Sequence, residues 1–207
     1  MRAYASRTGT KKTLAALRGA NWRLMVSAAG VLRHEGFPYA LDNGAWSAFQ
    51  QGRPFDVDQF VKALDLMGVG ADFVVVPDSV EDREETLKMA ETWLPRLDDY
   101  GHRRLLAVQD GMTGECVAPW LGPDVGIFVG GSTGWKERTM AEWGRVARRR
   151  GCWLHVGRVN TRRRLALCKF AGADSFDGSG PSKFDATRAQ LNAERAQLAL
   201  FHPDSIH

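Results

Sequence analysis

Phe73-Val74-Val75-Val76-Pro77-Asp78 is the stretch of this sequence that says most about its fold. A run of four apolar residues rich in valine is typical of a strand buried on both faces, as in parallel sheets covered by helices. The run stops at Pro77, which cannot donate to the ladder of a central strand, and the carboxylate of Asp78 follows at once. The stretch therefore predicts a buried parallel strand with a polar residue at its carboxyl end.

Comparable apolar runs recur along the chain and alternate with segments of helical character. The other predicted strands cover residues 4–6, 22–27, 39–41, 105–108, 126–129, 153–156 and 173–177. The predicted helices cover residues 10–17, 56–67, 84–97, 140–150, 160–170 and 184–200. Buried strands that alternate with amphipathic helices form a parallel sheet with right-handed crossovers. We therefore expect one α/β domain over residues 1–207, a compact (β/α)8 barrel without a zinc-binding subdomain, with a doubly wound open sheet as the alternative.

The overall composition is that of an ordinary globular domain. The 207 residues are 44% hydrophobic and 25% charged, and no apolar run approaches the ~20 residues that span a bilayer. Residues 1–6 lack the apolar core of a secretion signal, so we expect a cytoplasmic protein without a membrane partner. The three cysteines, Cys116, Cys152 and Cys168, form no CxxC pair and no zinc pattern with the five histidines. We therefore expect neither a bound metal nor a cofactor.

Positive charge is concentrated in the second half of the chain. The formal net charge is +4, and arginines crowd residues 145–150 and 158–164. One interpretation is that these arginines lie on solvated helix faces. The other is that they form a surface that contacts phosphate groups. The charge pattern leaves both open.

Polar residues or glycines follow six of the predicted strands at the point where each strand ends. These endings are Asp42-Asn43-Gly44, Pro77-Asp78, Gln109-Asp110-Gly111, Gly130-Gly131, Gly157-Arg158 and Asp177-Gly178. A single Asp-Gly or Pro-Asp pair is common turn chemistry. In a barrel, however, the carboxyl ends of all strands meet at one rim, where the active sites of this architecture lie. The convergence of six such endings predicts a functional site at that rim.

Five short motifs follow one another along most of the chain. They are Asp42-Asn43-Gly44-Ala45-Trp46, Val108-Gln109-Asp110-Gly111, Phe128-Val129-Gly130-Gly131, His155-Val156-Gly157 and Gly172-Ala173-Asp174-Ser175-Phe176-Asp177. In this order they resemble the tRNA-guanine transglycosylase family, which includes relatives that insert 7-deazaguanines into DNA. The last motif is similar to Gly-Val-Asp-Met-Phe-Asp, whose final aspartate is the nucleophile of the family. The tRNA enzymes continue with Pro-Thr-Arg and carry a Cys/His zinc site, whereas Gly178-Ser179-Gly180 follows here.

The resemblance therefore implies the small, DNA-acting branch of the family, often carried by phages, with tRNA as the alternative substrate. It implies that guanine in DNA is exchanged for a free 7-deazaguanine base, the co-substrate. Asp177 would be the nucleophile that forms a covalent sugar–enzyme intermediate, and Asp42 would be the general acid and base. The alternative for Asp42 is an Asx-turn cap over Asn43 and Gly44. Because tRNA-acting members often work as dimers, the resemblance also makes a homodimer an open outcome.

Other residues at the strand ends suit recognition of a guanine-type base. Asp78 can accept two parallel hydrogen bonds, one from a ring N–H and one from an exocyclic amine. Gln109 and the backbone N–H groups near Gly130 and Gly131 are expected to donate to the carbonyl oxygen of the base. Trp46 is expected to stack on the base, with ordinary packing at the barrel mouth as the alternative.

Four basic residues near the same rim are predicted to contact nucleic acid: Arg158, Arg162, Arg163 and Lys183. The arginines at 148–150 precede a strand, lie towards the opposite rim and are interpreted as solvated surface. Two alternative functions are open for the same residues. One is a DNA glycosylase or nucleoside hydrolase, in which water replaces the incoming base. The other is a non-catalytic barrel that binds nucleic acid, although the presence of both Asp42 and Asp177 argues against it.

Overall fold

A computed structural model describes residues 1–100 and 103–199, and within these residues eight parallel strands form a closed barrel. The strands are β1 Arg2–Ser6, β2 Arg23–Ser27, β3 Tyr39–Asp42, β4 Val74–Val75, β5 Arg104–Val108, β6 Val125–Val129, β7 Leu154–Val156 and β8 Ser175–Gly178. Each strand pairs with the next, and β8 pairs with β1 through Ala3 and Phe176. The closed, single-domain (β/α)8 barrel confirms the prediction and replaces the alternative of an open sheet.

Side chains alternate between the inside of the barrel and the layer beneath the helices, because successive residues of a strand point to opposite faces. The interior is filled by a cluster of buried residues: Tyr4, Met25, Ala40, Phe73, Val75 and Leu105. A larger core lies between the strands and the surrounding helices and includes Leu41, Val74, Ile127 and Phe176. Every second side chain of a strand therefore points into the barrel. At the carboxyl ends of the strands, the last inward-pointing side chains lie above the filled interior.

The predicted helices begin and end mostly where expected, and the predicted end of the last one, residue 200, lies outside the described residues. The helices that cover the barrel are α1 Lys11–Gly19, α2 Ala45–Gln50, α3 Val57–Met67, α4 Arg83–Leu97, α5 Gly114–Val117, α6 Thr133–Arg150, α7 Arg162–Ala171, α8 Gly180–Lys183 and α9 Asp185–Ala199. The Asp56 carboxylate accepts from the backbone N–H of Gln59 and caps α3. Thr161 caps α7 in the same way, and α7 ends at Gly172 in the left-handed conformation. Helix α6 begins earlier than the predicted start at residue 140, because Ser132 caps it at Thr133.

The barrel closes with a short chain because two of its connections are reduced. Strands β2 and β3 are joined by residues 28–38 without a helix, and β5 and β6 are joined through α5, which has 4 residues. Helices α6 and α7 also approach closely, since a Cβ on Gly144 would lie 2.1 Å from the carbonyl oxygen of Ala171. The two reduced connections explain why this barrel needs fewer than the roughly 250 residues typical of the architecture.

Within the described ranges, no helix combines the length and the apolar character needed to cross a bilayer.

Candidate active site

A cavity of about 620 Å³ lies over the carboxyl ends of the strands. Its volume falls in the range of small-molecule sites in proteins. The predicted site residues that line it are Asp42, Trp46, Asp78, Gln109, Gly130, Gly131, Arg158, Asp177 and Lys183. The structure therefore brings together residues that the sequence spreads over six strand ends.

Asp177 is the inward-facing residue near the end of β8, and one of its oxygens is anchored. Its Oδ1 lies 3.1 Å from His155 Nε2 and accepts the backbone N–H of Arg158 at 3.3 Å. Within the described part of the chain, Oδ2 accepts no hydrogen bond. The side chain is 13% exposed and lines the cavity. One oxygen of this carboxylate is thus held while the other remains available to a ligand.

Asp42 ends β3 on the same inner rim and has a pKa suited to proton transfer. Burial, followed by the negative charge of Asp177, raises its pKa from 3.8 to about 7, while the Ser27 hydroxyl acts in the opposite direction. Its Oδ2 accepts the backbone N–H of Gly44 at 3.2 Å, the contact expected of a turn cap. Gly44 itself has φ +87°, and its Cβ position would lie 2.9 Å from the backbone nitrogen of Ala29, so glycine is required there. Asp42 therefore combines a turn contact with a position at the cavity.

Asp78 follows β4 and is held by two side-chain amides. Asn43 Nδ2 donates to its Oδ1 at 2.6 Å, and Gln109 Nε2 donates to its Oδ2 at 2.5 Å. Burial raises its pKa to about 6, while both amides oppose that shift. Asn43 also donates to the carbonyl oxygen of Val76 at 2.8 Å, so it is fixed in turn. Each oxygen of an ionised carboxylate can accept more than one hydrogen bond, so Asp78 keeps acceptor capacity for a ligand.

The amides expected to contact the carbonyl oxygen of a base are already engaged within the protein. Gly130 N–H donates to the carbonyl oxygen of Val108 at 3.1 Å, and Gly131 N–H donates to Gln109 Oε1 at 3.1 Å. Gln109 thus joins Asp78 to Gly131 instead of offering its whole amide to the cavity. Gly131 has φ +64°, and its Cβ position would lie 2.6 Å from Asp110 Oδ2, so the tight loop admits only glycine. The structure does not support the expected donation by the two glycine N–H groups.

Trp46 and Arg158 meet across the mouth of the cavity. The guanidinium of Arg158 lies 4.2 Å from the centre of the Trp46 ring and donates to the carbonyl oxygen of Gly131. Trp46 is 36% exposed, and its ring stacks beside Phe49 at 5.8 Å between centres. The ring expected to stack on a base therefore packs against a cation, which favours the packing alternative for Trp46 in this structure.

Arg162 and Arg163 lie at the start of α7, outside the set of residues that line the cavity. Arg162 pairs with Glu194 at 3.3 Å and Arg163 with Glu137 at 3.1 Å, and both arginine side chains are largely exposed. Lys183, in contrast, is exposed and lines the cavity. Of the four basic residues predicted to contact nucleic acid, the structure brings Arg158 and Lys183 to the site and leaves Arg162 and Arg163 on the outer surface.

The sequence analysis assigned no individual role to four residues that shape the site. Arg7 lines the cavity and pairs with Glu35. Lys136 is buried beneath the rim, donates through Nζ to the carbonyl oxygen of Gly157, and has its pKa lowered to about 7, mainly by burial. The others are Asn43 and His155, which hold Asp78 and Asp177. The inward alternation along β7 and β8 is the signal that places His155 on the face of Asp177.

Among the described residues, no group of three or more His, Cys, Asp or Glu side chains is arranged to hold a metal ion. No family model and no curated protein matches the chain. The resemblance to the transglycosylases therefore rests on the five motifs.

Proposed function

We propose that this protein is a glycosyltransferase that exchanges guanine in DNA for a 7-deazaguanine base through a covalent aspartyl-sugar intermediate. The observation that carries the proposal is the placement of three carboxylates, Asp42, Asp78 and Asp177, around one cavity with a different environment for each. Carboxylates in different environments take different roles in the cleavage of glycosidic bonds.

Asp177 is the proposed nucleophile. Its Oδ2 attacks C1′ of the deoxyribose as the C1′–N9 bond breaks, and the electron pair of that bond passes to the departing guanine. Oδ1, held by His155 and by the N–H of Arg158, becomes the carbonyl oxygen of the ester. In the second step a ring nitrogen of the incoming base attacks C1′, and the electron pair of the ester bond returns to Oδ2. Two displacements at one carbon retain the configuration of the sugar.

Asp42 is the proposed general acid and base. A pKa of about 7 leaves a substantial fraction of this carboxyl protonated near neutral pH, so it can give a proton to departing guanine. The resulting carboxylate then takes a proton from the incoming base. A carboxyl with the ordinary value of 3.8 would be almost wholly ionised and a much poorer acid at the same pH.

Asp78 is the proposed reader of the base. It follows the strand β4, between β3 with Asp42 and β5 with Gln109, and both its oxygens are oriented by amide donors. The ring N–H and exocyclic amine of guanine present two donors side by side, as do those of a 7-deazaguanine. Adenine, cytosine and thymine lack this arrangement, so a fixed carboxylate discriminates against them.

DNA is the proposed substrate because the residues that follow Asp177 depart from the tRNA enzymes at Gly178-Ser179-Gly180, as the sequence indicates. Arg7, Arg158 and Lys183 supply positive charge at the cavity for the phosphates that flank the target nucleotide. The target must leave the base stack to enter the cavity at the barrel rim, which costs a few kcal/mol unless the DNA is already single-stranded.

The test is incubation of the protein with guanine-containing single-stranded DNA and a labelled 7-deazaguanine base. We expect label in the DNA, and a covalent protein–DNA adduct after rapid denaturation. Asp177→Ala should abolish the adduct and lower the exchange rate by at least about 1,000-fold, since it removes the nucleophile. Asp174→Asn is the matched control, because Asp174 accepts the backbone N–H of Leu154 at 2.7 Å and does not line the cavity.

Three results would contradict the proposal in different ways. Abasic sites without incorporated label would identify a DNA glycosylase. Incorporation into tRNA and not into DNA would make the protein a tRNA enzyme. Full exchange activity in Asp177→Ala would remove the nucleophile assignment.

A further inference from the structure

A chain of three hydrogen bonds runs through the barrel interior and ends on Asp177. Trp153 Nε1 lies 2.8 Å from Ser175 Oγ, and Ser175 Oγ lies 2.8 Å from His155 Nδ1. His155 Nε2 lies 3.1 Å from Asp177 Oδ1. Ser175 and Asp177 share the inner face of β8, and His155 is the register partner of Ser175 on β7. This series of hydrogen bonds therefore follows directly from the pairing of β7 with β8.

The chemistry of its two ends assigns the protons along this chain. The indole N–H of Trp153 can only donate, so Ser175 Oγ accepts from it. A carboxylate can only accept, so His155 Nε2 carries a hydrogen and donates to Asp177. A neutral imidazole then has a bare Nδ1, which accepts the hydroxyl hydrogen of Ser175. Every donor and acceptor is matched, and the tautomer of His155 is determined.

The surroundings of His155 keep its ring in place and away from substrate. The side chain is 0% exposed and is absent from the lining of the cavity. Its ring stacks on Phe128 with 4.8 Å between centres, and Phe73 and Tyr4 lie at 5.1 and 5.8 Å. Burial lowers the pKa of His155, which favours the neutral ring. His155 therefore does not touch substrate and can act only through Asp177.

We propose that His155, in the tautomer set by the Asp177 carboxylate and supported by Ser175, is a positioning residue that holds Oδ1 of Asp177 and directs Oδ2 at the sugar. The inference rests on the proposed function and adds to it. While Asp177 is ionised, the N–H of His155 binds one oxygen and leaves the charge of the other for attack. When the ester breaks, the electron pair returns to Oδ2 and the negative charge spreads over both oxygens of the carboxylate. The same N–H and the backbone N–H of Arg158 then donate to Oδ1 and stabilise its share of the charge.

The first experiment determines the tautomer of His155 without a measurement of enzyme activity. Long-range proton–nitrogen NMR near neutral pH should show His155 with a protonated Nε2 and a bare, hydrogen-bonded Nδ1. The chain has five histidines, and the signal that disappears in His155→Phe assigns the residue. Ser175→Ala removes the hydroxyl that donates to Nδ1. We expect Nε2 to stay protonated against Asp177, while the Nδ1 signal moves to that of a bare nitrogen without a hydrogen bond.

The second experiment measures base exchange in the same variants. A hydrogen bond to a charged group is typically worth a factor of about 10 to 100, so His155→Phe should lower kcat by that factor. KM for the free base should change less than about threefold, because the base is read at Asp78. Ser175→Ala should lower kcat by roughly tenfold. Tyr4→Phe is the matched control. It deletes a hydroxyl in the barrel interior, but this hydroxyl donates to Asp72 and not to Asp177. Its kcat should stay within about threefold of the wild type.

The outcomes separate this inference from the proposed function. A protonated Nδ1 in the wild type would overturn the positioning role whatever the activity. The positioning role would also be overturned if the wild type exchanges bases and the folded His155→Phe and Ser175→Ala variants keep kcat within threefold. That result would not affect the proposed function. If His155→Phe fails to fold, Ser175→Ala decides the kinetic question, and its spectrum assigns the histidine signal. A wild type without base exchange would overturn the proposed function and the positioning role together.

Discussion

Replacement of Asp42 by asparagine should stabilise the folded protein while it removes activity. The pKa of Asp42 is raised from 3.8 to about 7, mainly by burial and by the charge of Asp177. Because the folded protein binds this proton more tightly than the unfolded chain does, the free energy of unfolding decreases as the pH rises from about 4 to about 7. Above pH 7 the loss is complete and constant. Asparagine keeps the shape of the side chain and carries no charge, so the variant avoids the loss.

The size of the effect follows from the pKa values. A difference of about three pKa units at 1.36 kcal/mol each corresponds to roughly 4 kcal/mol above pH 7. Asp42 is only partly buried and retains contact with the cavity, so we expect about half of this, near 2 kcal/mol, at pH 8.5. At pH 5 most of the folded protein already holds the proton, and the advantage of Asp42→Asn should be smaller by about 1–2 kcal/mol.

Urea unfolding of both proteins at pH 5 and pH 8.5 measures this difference directly. Asp124→Asn is a suitable control, because Asp124 is exposed at the start of β6 and does not line the cavity. It shows what the removal of a surface carboxylate outside the cavity does to the free energy of unfolding at each pH. The reasoning would be refuted if Asp42→Asn were less stable than the wild type at pH 8.5, or if its advantage were the same at both pH values. A gain in stability together with a loss of exchange would mark Asp42 as a residue retained for function.

Two further predictions concern recognition. Asp78→Asn replaces one acceptor oxygen by an amide NH2 group, which faces the amide donors of Asn43 and Gln109. KM for the free base should therefore rise by about 10- to 100-fold, while the affinity for DNA changes little. Equal losses in both would contradict the role of Asp78. If Arg162 and Arg163 contact phosphates, the double alanine variant should reduce the slope of log Kd against log salt by about 1.4 to 1.8 for single- or double-stranded DNA. The corresponding variant of Arg149 and Arg150, which are exposed at the end of α6, should leave the slope unchanged, and equal changes from both pairs would argue for non-specific attraction.

Much of the barrel and of the cavity could be predicted because the signals are local. Buried parallel strands are continuous apolar runs, and Asp or Gly directly after such a run marks the carboxyl end, as at Asp42, Asp78 and Asp177. Once the strands were placed, the architecture alone brought their ends to one rim. The short helices α2, α5 and α8 escaped prediction, since a helix of 4 to 6 residues has too few turns for an apolar period to appear.

The remaining features of the site depend on contacts between distant parts of the chain. Arg162 pairs with Glu194 and Arg163 with Glu137, and neither partner can be identified from a run of arginines. The use of Gly131 N–H by Gln109 depends on the distance between two loops. His155 became interpretable only when the register of β7 against β8 placed it beside Ser175.

The closure of the barrel between β8 and β1 has a consequence for the order in which the protein can assemble. Tyr4 is the register partner of Asp177 across this seam, and the Ser182 hydroxyl donates to the carbonyl oxygen of Ser6, 176 positions away. Loop-closure entropy grows with the length of chain enclosed, so contacts across the seam are among the most costly to form from the unfolded chain. Asp42 and Asp78 lie on β3 and just beyond β4, which pair with their neighbours over much shorter separations. The pocket that would read a base can thus form within half of the barrel, whereas the carboxylate that would attack the sugar reaches its place only when the two ends of the sheet meet.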